Sequence, residues 1–125
     1  MKNNLPHSVP LTPQVLEILK DIKSLSKKSD YLFPSRLTWR KPFSENTMIQ
    51  CIYMMGYKGR LAIHGLRGTA STILYEQGFQ TEWIEKQLSH VDNNKVRAAY
   101  NHAQYLDERI QMMEWYSSEI SLVTS

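Results

Sequence analysis

Along the chain, apolar residues recur at Val15, Leu16, Ile18, Leu19, Ile22 and Leu25, the spacing of a helix with one apolar face. Thr12 followed by Pro13 reads as its start: a hydroxyl able to cap, then a proline where the missing N–H costs nothing. The polar run Lys27-Lys28-Ser29-Asp30 reads as its end. Ahead of it, Ser8-Val9-Pro10-Leu11 has the look of the end of an extended strand, and Tyr31-Leu32-Phe33-Pro34 reads as a second short extended piece. Residues 35–42 are expected to form a loop. Ser44 can cap a second helix over residues 45–55, closed by Gly56. A third helix is predicted over 65–77, with Leu66, Ala70, Ile73 and Leu74 facing inward and Gly78 as its stop. Thr81 reads as the cap of a short fourth helix containing Trp83, Ile84 and Leu88. After the polar turn Val91-Asp92-Asn93-Asn94 comes a helical stretch over 96–100, and a last helix over 106–119 sets Leu106, Ile110 and Met113 on one side. The pattern predicts a mainly α chain with a short N-terminal β segment. It contains no internal repeat or long linker, so it reads as one unit.

Composition narrows the class without naming a function. The 125 residues suffice for one modest core, and 42% hydrophobic with 22% charged residues is ordinary for a globular protein. No apolar run approaches the ~20 residues that span a bilayer, and the polar opening residues lack the apolar core of a signal peptide. A single cysteine, Cys51, excludes an internal disulfide and fits a reducing compartment, so a cytoplasmic location is expected. The net charge of +3 and pI of about 9.0 are compatible with a polyanionic partner and do not demand one.

Three spaced signals carry the chemistry: His64-Gly65-Leu66-Arg67, then Leu88-Ser89-His90, then Tyr100. A spacing of three puts His64 and Arg67 on one side of a helical turn, both able to reach a single anion. The guanidinium of Arg67 offers a planar fork of donors suited to two phosphate oxygens. His90, at the end of the next helix, can be presented to the same anion by a loop. Such a set suits phosphoryl transfer, because attack on a phosphodiester builds charge on nonbridging oxygens that preorganised cationic donors stabilise. A tyrosine, with an unperturbed pKa near ~10, needs adjacent cations or a base to act as the nucleophile. No compact metal-ligand spacing and no glycine-rich nucleotide loop is present, and the chemistry requires neither.

With those residues in view, residues 63–115 resemble the tyrosine recombinases of the phage integrase type, as found in prophages and satellite phages. The resemblance is carried by His64-Gly65-Leu66-Arg67-Gly68-Thr69-Ala70, by Leu88-Ser89-His90 and by Lys95-Val96-Arg97-Ala98-Ala99-Tyr100-Asn101. It extends back to Met1-Lys2 and Pro6-His7-Ser8-Val9-Pro10-Leu11, similar to the β-hairpin strand ahead of that family's catalytic helices. The resemblance implies the helical C-terminal portion of a recombinase catalytic core. Arg67 is then a phosphate-binding arginine, and His64 supports the phosphate site and assists the nucleophile's proton. His90 donates to a nonbridging oxygen, Tyr100 forms a 3′-phosphotyrosyl bond, and Lys2 is the general acid for the leaving oxygen. Double-stranded DNA at attachment sites is the implied partner, with a tetramer on DNA for the full-length parent.

The family also uses another phosphate-binding arginine upstream of the hairpin lysine, and an amino-terminal DNA-clamping domain. Neither falls within residues 1–125, so the chain is expected to be a partial catalytic domain, incompetent in cleavage by itself. Lys95 and Arg97, together with Arg36, Arg40 and Lys41 of the loop around Trp39, are candidate phosphate contacts. Each signal has a plainer reading: an incidental His and surface Arg at a helix start, a histidine at its own helix C-terminus, a packing tyrosine. Tyr105 is the rival nucleophile, given a structural role here, and Tyr75 and Tyr116 read as packing residues. The competing functions are a non-catalytic DNA-binding or regulatory remnant and a protein-interaction module using the last helix.

Overall fold

A computed structural model of the chain describes residues 7–26, 28–90 and 104–124. Among these lie five helices: α1 (Pro13–Leu25), α2 (Thr47–Met54), α3 (Ile63–Gln77), α4 (Thr81–Gln87) and α5 (Leu106–Thr124). The mainly helical class is as expected. Glycines set two of the ends, Gly56 at φ 90° after α2 and Gly78 at φ 97° after α3, where a side chain would strain the left-handed backbone. The described residues divide into two compact units, one drawn from Met1–Thr12 with Ala70–Ser125, the other Pro13–Thr69.

In the first unit the core is Leu74 of α3, Ile84 of α4 and Met112 of α5, flanked by Phe79, Trp83, Leu88, Met113, Trp115 and Tyr116. Phe79 meets Trp115 edge-on at 5.4 Å between ring centroids. Of the side of α5 expected to carry Leu106, Ile110 and Met113, only Met113 packs on the core, together with Met112 and Trp115 of the same helix. Arg109, Met112 and Ser117 are buried, whereas Leu106 and Ile110 are exposed. The reason is Arg109, which is 0% exposed and distributes its donors over three neutral acceptors. Nε donates to Gln87 Oε1 at 3.0 Å, one terminal nitrogen to the Gln104 carbonyl at 3.1 Å, and the other to the Ser8 carbonyl at 2.5 Å.

That last bond explains how the opening segment is held. Residues 8–11 form no strand ladder among the described residues; Ser8 instead gives its carbonyl to Arg109. His7 Nε2 lies 3.3 Å from the Gln87 carbonyl, and the buried pair Thr12 Oγ1 and Ser117 Oγ is 2.8 Å apart. The cap of α4 also differs from expectation. Gln80 occupies the N-cap without a side-chain bond, and Thr81 is the first helical residue.

In the second unit, no residue of α1 is buried, although its apolar spacing holds. Ile52 of α2 is buried, with Ser26 and Ser29. Pro34 and Pro42 form an antiparallel bridge, with the Ser35 amide donating to Lys41 at 2.7 Å and the Phe43 amide to Phe33 at 2.8 Å. Phe33 and Phe43 stack at 5.1 Å across this neck. The loop between them is pinned by the Ser29 hydroxyl, which donates to the Trp39 carbonyl at 2.5 Å. No helix of the described residues is long and apolar enough to cross a membrane.

Candidate functional site

The helix expected to open at Gly65 begins at Ile63, so His64 and Arg67 both stand in its opening turns. Both are exposed, and their spacing places them on one face. His64 lines an open cavity of about 770 Å³ with Met48, Ile49 and Ile52 of α2 and residues 59–63. The three loop cations, Arg36, Arg40 and Lys41, are exposed as well. The Arg40 guanidinium sits 5.3 Å from the Trp39 ring centroid, which holds a cation at the loop tip without neutralising it. Two further cations went unnoticed in the sequence. Lys58 lies 5.3 Å from the Tyr53 ring centroid and Arg60 5.9 Å from that of Tyr57, in the segment leading into α3.

His90 belongs to the first unit, whereas His64 and Arg67 belong to the second. Its position follows from how α4 ends. Ser89 adopts φ 56°, its amide bonds to the Lys86 carbonyl at 3.2 Å, and the His90 amide bonds to the Glu85 carbonyl at 3.0 Å. This paired pattern around a left-handed residue is the Schellman termination of a helix. It brings His90 back over Glu85, whose carboxylate oxygen Oε2 lies 2.8 Å from His90 Nδ1. The other oxygen, Oε1, accepts from the Tyr75 hydroxyl of α3 at 2.9 Å. Burial, and then the bond to Glu85, raise the Tyr75 pKa above its ordinary 10.0. Tyr75, read from the sequence as a packing residue, is 40% exposed and is a polar partner of Glu85. Sequence reasoning missed Glu85 altogether.

Tyr105, the rival nucleophile, adopts φ 50° immediately before α5, and its carbonyl accepts the Arg109 amide at 2.8 Å. It thus opens the helix that carries the buried arginine, in keeping with a structural role. Four of the sequence candidates, Lys2, Lys95, Arg97 and Tyr100, lie outside the described residues, as does the helical stretch expected over 96–100.

His64 and Arg67 are thus exposed on one face of α3, and His90 is held by a carboxylate at the end of α4. The model of the phage integrase family matches residues 1–107. Prophage integrase IntA of Escherichia coli K12 is 42% identical over 125 residues, which is 100% of this chain and 30% of that protein. The integrase of Shigella phage Sf6 is 41% identical over 118 residues, 94% of this chain and 31% of its own length. The integrase of Enterobacteria phage P4 is 38% identical over 126 residues, 98% of this chain and 29% of its own. No solved structure gives a significant match. The chain belongs to the phage integrase family. It spans about 30% of the length of the curated relatives it matches.

Proposed function

We propose that this chain supplies the phosphate-gripping and nucleophilic part of a tyrosine recombinase that carries out site-specific recombination of phage or prophage DNA. In this reading Arg67 binds two nonbridging oxygens of the scissile phosphate through its guanidinium fork, with His64 beside it on the same turn. His90 donates to a nonbridging oxygen. The phenolic oxygen of Tyr100 attacks phosphorus, the bond to the 5′-oxygen breaks, and Lys2 supplies the proton that makes the 5′-hydroxyl. The DNA is left joined to Tyr100 through a 3′-phosphotyrosyl ester, and the reverse attack by a 5′-hydroxyl rejoins it. Arg36, Arg40 and Lys41, with Lys95 and Arg97, are assigned to flanking phosphates. Double-stranded attachment-site DNA is the partner, acted on in the bacterial cytoplasm and nucleoid by a tetramer of the full-length integrase.

The observation that carries the reading is the exposed His64–Arg67 pair at the start of α3, in a chain of the phage integrase family. The relatives' much greater length supports the further reading that cleavage needs parts outside the matched stretch, so these 125 residues alone are expected to form little covalent complex. The test is covalent trapping on a suicide DNA substrate, using an integrase that contains this segment. The intact sequence should yield a protein–DNA adduct that Tyr100→Phe abolishes and Arg67→Ala reduces by at least about a hundredfold. An adduct that persists in Tyr100→Phe would remove Tyr100 as the nucleophile.

A further inference from the structure

His90 is held by a neighbour that the recombinase reading does not use. An ionised carboxylate accepts hydrogen bonds and cannot donate them. Glu85 Oε1 already accepts from Tyr75 at 2.9 Å, and the 2.8 Å contact of Oε2 with His90 Nδ1 requires a proton on that nitrogen. The ring keeps Nε2 as its other polar atom, and the His90 side chain is 43% exposed. In a neutral ring protonated on Nδ1, Nε2 is an acceptor and cannot donate to a phosphate oxygen. Donation to DNA through Nε2 therefore needs the doubly protonated ring, and the carboxylate beside it balances that charge.

We propose that Glu85 is a positioning residue for His90: anchored by Tyr75, its carboxylate takes Nδ1, fixes the ring and reserves Nε2 as the donor to the scissile phosphate. The backbone serves the same end, because the Schellman termination at Ser89 directs the His90 amide onto the carbonyl of the same Glu85. Main chain and side chain of His90 are thus both tied to one residue. Tyr75 fixes the carboxylate from a different helix, so its orientation does not depend on α4 alone. The catalytic consequence rests on the recombinase reading, while the positioning of the ring does not.

Two measurements keep these apart. In the 125-residue chain, long-range nitrogen–proton NMR of the histidine rings, assigned with His90→Gln, should find the proton of His90 on Nδ1 at neutral pH. In Glu85→Ala it should move to Nε2. Glu85→Gln, whose amide oxygen still accepts from Nδ1, should keep it in place, and Tyr75→Phe should broaden the His90 signals as the carboxylate loosens. In an integrase containing this segment, Glu85→Ala should slow covalent-complex formation about 10- to 100-fold, as loss of an orienting partner does at other sites. Glu85→Gln should fall between it and the parent. A neutral His90 ring that carries its proton on Nε2 and leaves Nδ1 bare in the parent chain overturns the proposal. So does Glu85→Ala cleaving at the parent rate while His90→Ala is slow. If His90→Ala itself cleaves at the parent rate, the role given to His90 fails, and with it the catalytic use of Glu85, although the NMR result stands.

Discussion

Replacing Arg109 tests the strongest energetic claim about this fold. The guanidinium is fully buried and, among the described residues, pairs with no carboxylate; its bonds go to Gln87, Gln104 and Ser8. Burial lowers its pKa, the mark of a desolvated cation. Hydrogen bonds from a charged group contribute about 1.5–3 kcal/mol each, so three amount to several kcal/mol, against a desolvation cost that is also several kcal/mol. Removing the side chain ends both effects but leaves three acceptors without their donor and opens a cavity where the guanidinium stood. The net loss expected for Arg109→Ala is about 2–4 kcal/mol. Arg109→Met restores most of the volume without the donors and should remain about 1–2 kcal/mol less stable than the parent. Urea unfolding followed by tryptophan fluorescence in a Trp39→Phe background reports on the first unit, because the remaining tryptophans, Trp83 and Trp115, flank its core. Hydrogen exchange adds a local reading, since the amides of Ser8, Val9 and Leu11 should exchange faster in Arg109→Met once Ser8 loses its tie. A methionine variant as stable as the parent, with unchanged exchange there, would refute the reasoning.

Three further outcomes are expected. Ser89→Val places a β-branched side chain at φ 56° and should cost about 1–2 kcal/mol in thermal or urea unfolding, whereas Ser89→Gly should be neutral or stabilising; equal stability of valine and serine would remove the argument from backbone strain. Tyr75 and Tyr116 both have pKa values raised above 10.0, with burial the leading cause, so the unfolded chain loses these protons first as pH rises. Their contribution to stability is present below pH 10 and lost as pH climbs through their folded values, and the double variant with phenylalanine at both positions should show a shallower alkaline loss. Replacing Arg36, Arg40 and Lys41 together with alanine should lower the log–log salt slope of DNA binding by about 2–3, given roughly 0.9 per phosphate contact. An unchanged slope would show that the loop does not touch the DNA backbone.

Much of this molecule could be read along the chain, because helices declare themselves through spacing that the backbone imposes locally. The apolar period of α1, the proline at its first position, the stops at Gly56 and Gly78, and the pairing of His64 with Arg67 on one turn all depend on near neighbours. The order of the H-x-x-R, L-S-H and tyrosine signals likewise lies in the sequence, and the family the chain resembles is the one whose model matches residues 1–107. Tertiary structure decided what a local period cannot encode. A period on α5 lines up Leu106, Ile110 and Met113, of which only Met113 packs on the core, and Arg109 is buried because its acceptors arrive from Ser8 and Gln87, remote in sequence. Thr12 meets Ser117 for the same reason. The opening segment gives a carbonyl to a buried arginine where a strand was expected. Glu85 shows the two levels together. Its tie to His90 is local and set by the left-handed turn at Ser89, but its second bond, to Tyr75, exists only because α3 and α4 share a core. Hydrogen-bond partners distant in sequence are chosen by packing, and packing is settled only when the whole unit folds.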